Sequence, residues 1–101
     1  MLKSSLLVGS ALALLSSKAF AHYPTLDCEA LAGNLHCIAG YSDGSVAYNE
    51  TVQIKTYSEE LIETLTTDDN GEFTTSRPQG EYYLVFNPGH EDPAEFDYAE
   101  L

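Results

Sequence analysis

The sequence predicts an all-β protein, a single small antiparallel β-sandwich of about seven strands. Three observations carry that expectation. Short runs of alternating apolar and polar residues recur between turn signals, β-branched and aromatic residues are concentrated in those runs, and no stretch has convincing helical spacing. The chain has 101 residues, and the part expected to fold is shorter still. Lys3, an apolar run from Leu6 to Leu15 and the small residues of Ala19-Phe20-Ala21 have the order of a secretory signal peptide. The run is shorter than the roughly 20 residues that cross a bilayer. We therefore expect a leader over residues 1–21, cleavage before His22, and one domain over residues 22–101. The expected location is the periplasm or the outside of the cell, with no membrane insertion of the mature chain.

The first strand expected, Tyr23 to Ala30, places Leu26, Cys28 and Ala30 on one face and Asp27 and Glu29 on the other. The second, Leu35 to Tyr41, repeats the period with Leu35, Cys37, Ala39 and Tyr41 aligned. Ala32-Gly33 fits a tight turn between them. If Leu31 faces Asn34 across it, Cys28 faces Cys37 at the short Cα separation of a non-hydrogen-bonded pair, about 4.5 Å, which is within disulfide reach. Export favours that disulfide, a thiolate metal site being the alternative. Ser42-Asp43-Gly44-Ser45 is a turn, followed by a loop to Glu50. Asn49-Glu50-Thr51 has the acceptor pattern for N-glycosylation, relevant in a eukaryotic host.

Thr51 to Tyr57 and Leu61 to Thr66 supply strands three and four. A helix starting at Ser58 competes for the second of these, and Thr64, Thr66 and Thr67 argue against it. Asp68-Asp69-Asn70-Gly71 is the strongest turn signal, with positive φ tolerated at both Asn70 and Gly71. Glu72 to Ser76, Glu81 to Asn87 and Ala94 to Leu101 complete the set of seven.

Charge narrows the partners. All 16 acidic residues lie after residue 21, against only Lys55 and Arg77, so the expected mature chain carries a formal charge of −14. Nucleic acid and anionic membranes reward Lys and Arg, so neither is an expected partner. Catalysis is not expected either. No G-x-S-x-G elbow, paired-carboxylate pocket or activated cysteine is visible.

The second half of the chain resembles a known superfamily. Thr67-Asp68-Asp69-Asn70-Gly71-Glu72-Phe73 followed by Gly80-Glu81-Tyr82-Tyr83-Leu84-Val85 is similar to the T-D-x-x-G-x-F and G-x-Y-x-V pattern of transthyretin-like, carboxypeptidase-regulatory-like β-sandwich domains. A narrower resemblance, to short exported accessory proteins of nickel and cobalt uptake, rests on Ala21-His22, Ser42-Asp43-Gly44 and Gly89-His90. It implies a metal-binding role beside a membrane metal transporter or another exported protein.

Strand direction gives a separate argument for a metal site. If successive strands alternate, His22, Asp43, the Asp68-Asp69 pair and His90 all fall at one end of the sandwich. Cleavage before His22 would place an α-amine and an imidazole on one residue, able to chelate one ion. The expected donors are His22 and His90, with Asp43, Glu91 or Asp92 as oxygen ligand or hydrogen-bonding partner. A nitrogen-rich set suits copper or nickel, and the resemblance leans towards nickel or cobalt. Neutral donors are required, so affinity should collapse below roughly pH 6. His36, roughly 23 Å from His22 along the strand, is expected to be a surface residue. The alternative is a structural or protein-interaction module whose exposed aromatics, Tyr82, Phe96 and Tyr98, engage another protein.

Overall fold

A computed structural model of the chain describes residues 22–101; the expected leader lies outside the described residues. Seven strands form two antiparallel sheets. They are β1 (Pro24–Leu31), β2 (Asn34–Tyr41), β3 (Thr51–Thr56), β4 (Leu61–Thr66), β5 (Glu72–Ser76), β6 (Tyr82–Phe86) and β7 (Ala94–Asp97). One sheet has the order β1-β2-β5 and the other β4-β3-β6-β7. The alternation seen in the sequence is the cause: Leu35, Cys37 and Ala39 of β2, Val52 and Ile54 of β3, and Leu84 and Phe86 of β6 are fully buried between the sheets.

The first hairpin has the expected register. Leu31 pairs with Asn34 and Cys28 with Cys37, and the two cysteines form a disulfide across Cα atoms 4.0 Å apart. Ala32 and Gly33 both take positive φ, 50° and 84°, the backbone of a two-residue turn whose twist matches the strands it joins.

The Asp68–Gly71 turn does a different job from a hairpin. β4 and β5 belong to different sheets, so this segment is the corner where the chain crosses between them. Of Asn70 and Gly71, only Gly71 has positive φ, at 77°. The Asp68 carboxylate accepts from Asn70 N and Glu72 N, at 2.8 and 2.9 Å, and so replaces the second left-handed residue. Gly71 is needed for another reason, because a Cβ there would run into the Ala39 carbonyl oxygen.

Two expectations are corrected and one choice is borne out. Strand seven stops at Asp97, and Tyr98–Glu100 is a turn of 3-10 helix with Asp97 as its cap. Asp97 accepts from Ala99 N and Glu100 accepts from Asp97 N, and this reciprocal pairing ends the strand. Tyr82 and Phe96 are buried, at 1% and 5% exposure, because the alternation of β6 and β7 turns them to the core and Tyr83 and Glu95 outwards. They are not available to a partner, and Tyr98 packs half-buried against the core beside Tyr82. The helix that competed for Ser58 onwards does not form. Thr56 N bonds to Glu60 O at 2.9 Å, which closes a turn into β4.

Candidate functional site

The end of the sandwich where β1 begins and β2 and β6 finish gathers three of the residues singled out in the sequence. His22 precedes β1 and is held there by its neighbour: Ser42 N donates to Tyr23 O at 2.8 Å and Tyr23 N donates to Ser42 Oγ at 3.0 Å. That clamp brings His22 to the turn after β2, where its Nε2 lies 3.3 Å from Asp43 Oδ2. The other oxygen of Asp43 is occupied within the turn, accepting from Ser45 N at 2.9 Å and Ser45 Oγ at 2.7 Å. These bonds, first the hydroxyl and then the amide, with a smaller contribution from the His22 charge, hold the Asp43 carboxyl below its ordinary range. Asp43 is therefore a fixed anion facing an exposed imidazole.

His90 reaches the same place from the loop after β6. Its ring lies parallel to that of His22, within 4°, with centres 6.4 Å apart. The loop is bent by Gly89, at φ 100°, and by a bond from Gly89 N to Asn87 Oδ1 of 3.1 Å.

Tyr41 completes the group, and sequence reasoning did not assign it there. Its ring is 5.0 Å from His22 and 6.3 Å from His90, within 24° of both planes. It stands edge-on against the buried Phe86 at 5.7 Å, so the exposed rings rest on the core. Partial burial, and next the charge and hydrogen bond of Glu50, push its phenol above the ordinary tyrosine value. Glu50 is placed by Thr67, whose hydroxyl accepts from Glu50 N at 2.9 Å and donates to Ala47 O. The alternation had put Tyr41 on the inward face. Its position as the last residue of β2, directly before Ser42-Asp43-Gly44, was the available signal.

Asp92 and Glu91 have no hydrogen bond or ion pair among the described residues. Asp68 is spent on its own turn. His36 is elsewhere, opposite Glu29, with Nδ1 2.9 Å from Thr74 Oγ1 and Nε2 3.6 Å from Glu72 Oε1. Among the described residues no three side chains of His, Cys, Asp or Glu are clustered to hold a metal ion. The His22 and His90 rings are stacked, and because an imidazole nitrogen donates its lone pair in the ring plane, one ring must rotate before both can ligate one ion.

Fold and site together define a small disulfide-bonded β-sandwich with a paired-histidine, aromatic end. No family model matches the chain, and no curated protein or solved structure is significantly similar to it.

Proposed function

We propose that this chain is an exported metal-binding domain that carries a divalent nickel, cobalt or copper ion as cargo in metal uptake or homeostasis. The observation that supports it is the convergence of His22, Asp43 and His90, which come from three separate segments of the chain. The donor set is the α-amine and Nδ1 of His22, freed by cleavage after Ala21, together with the imidazole of His90. The amine and Nδ1 of one histidine close a single chelate ring and leave Nε2 directed at Asp43. Asp43 then orients the ring without ligating. Tyr41 is the surface on which both rings rest. A soft sulfur donor is missing from this set, since Cys28 and Cys37 are joined, which favours a divalent ion over Cu(I). The role is binding and delivery rather than catalysis. No helix among the described residues is long and apolar enough to cross a membrane. Delivery would be to a membrane transporter or another exported protein. The resemblance of Ala21-His22, Ser42-Asp43-Gly44 and Gly89-His90 to exported accessory proteins of nickel and cobalt uptake is consistent with this role.

Calorimetric titration with Ni(II), Co(II) and Cu(II) tests the proposal on two forms, one starting at His22 and one with a single alanine before it. The extension is expected to weaken binding tenfold or more, about 1.4 kcal/mol, because the amine is displaced from the chelate. His36→Ala is expected to bind as the parent does. Equal affinity of the two forms would end the proposal.

A further inference from the structure

A second recess lies on the outer face of the four-stranded sheet, formed by the far ends of β3, β6 and β7. It is a groove of about 590 Å³ lined by Tyr57, Glu59, Tyr83, Glu95, Asp97 and Glu100, within the size range of small-ligand sites. We infer that this groove binds an organic cation, a protonated amine or a guanidinium. This inference is independent of the metal proposal.

The walls are aromatic. The Tyr57 and Tyr83 rings have centres 6.5 Å apart and are inclined at 50°, an open V whose faces are electron-rich. Tyr57 cannot swing away, since its hydroxyl donates to both oxygens of Asp97, at 2.7 and 2.8 Å. Asp97 and Glu100 are in turn fixed by their mutual capping of the 3-10 turn.

The two remaining carboxylates are uncommitted. The side chains of Glu59 and Glu95 have no hydrogen bond or ion pair among the described residues, yet both act on Tyr83. Burial first, and then the charges of Glu59 and Glu95, raise the Tyr83 phenol above its ordinary value, and all three residues line the groove. A fixed floor, two π faces and two unpaired anions make a complement for a cation with an apolar stem. The stem lies on the rings and the head meets the carboxylates, the arrangement by which aromatic cages take ammonium groups. A bare metal ion would gain nothing from the rings.

The chain's own cation stands beside the groove without filling it. Lys55 pairs with Tyr83 across β3 and β6, on the side away from Asp97, and has no ion pair among the described residues. It supplies an internal control, because its charge opposes any incoming cation.

Amide chemical-shift titration of the isotope-labelled protein tests this with two probes, spermidine for a free polyamine and Nα-acetylarginine amide for a peptide side chain. Either is expected to shift Tyr57, Tyr83, Glu95 and Asp97 together at about 0.15 M salt, where dispersed surface charge is screened. The tighter probe identifies the source. Tyr83→Leu is expected to weaken binding about fivefold, Glu95→Gln to weaken it, and Lys55→Gln to strengthen it. Shifts spread over all the carboxylates, or equal affinity in the Tyr83→Leu and Glu95→Gln variants, would overturn the inference.

Discussion

The two ends of the sandwich are built from the same materials, aromatic rings and carboxylates, and differ in how the chain assembles them. The groove end is laid out along the strands: Tyr83 and Asp97 are register partners in β6 and β7, and Tyr57 follows β3 directly. The histidine end is assembled from a pre-strand residue, a turn and a loop, and its coherence depends on the clamp between Tyr23 and Ser42 and on Phe86 beneath Tyr41. A site made of register partners survives as long as its sheet does. A site made of loops can be lost while the sheets persist, since local opening of such segments costs far less than global unfolding.

The sharpest way to break the comparison is at Phe86, fully buried and in edge contact with Tyr41. Phe86→Ala is expected to cost about 3–5 kcal/mol of folding stability, measured by denaturant unfolding, and to weaken metal binding in whatever fraction stays folded. The next largest effect is on the disulfide, which staples the hairpin carrying both His22 and Asp43 but touches neither end. Replacing Cys28 and Cys37 by alanine together is expected to cost about 2.5 kcal/mol for a loop this short. Calorimetry should show that loss of stability with the groove titration unchanged.

Glu59 separates function from stability at the groove end. It is held at φ 72°, a backbone state that disfavours side chains with a Cβ. Glu59→Gly is expected to raise stability by about 0.5–1 kcal/mol, seen as a higher melting temperature, while weakening cation binding.

The smallest effects come from pH, and the two ends respond at opposite limits. Asp43 has a lowered folded pKa, mainly through Ser45. Its contribution is present above the unfolded value of 3.8 and is lost as pH falls through the lower folded value. Asp43→Asn should flatten acid unfolding below about pH 4. Tyr57 is pushed up to about 12, chiefly by its hydrogen bond to Asp97. Its contribution is complete below the unfolded value of 10.0 and is lost as pH rises through about 12, so Tyr57→Phe should remove that part of alkaline unfolding.

Strand number, hairpin register and the cysteine pairing were legible in the sequence because each follows from local rules. A period of two assigns faces, a two-residue turn sets register, and register places Cys28 opposite Cys37. The approach of His22, Asp43 and His90 was legible too, since counting strand reversals says which turns share an end.

What the amino-acid order determined by itself is the inventory of strands and turns, for φ preference and alternation act between residues that are close along the chain. Only the tertiary structure decided which face of β6 and of β7 met the core. That choice buried Tyr82 and Phe96 and left Tyr83 and Glu95 outside, where they line a groove no local pattern announced. It also set Tyr41 beside two histidines and placed Gly71 against Ala39. The physical reason is that burial and cross-sheet contact are properties of pairs far apart in sequence, and only the packed sandwich fixes which pairs form.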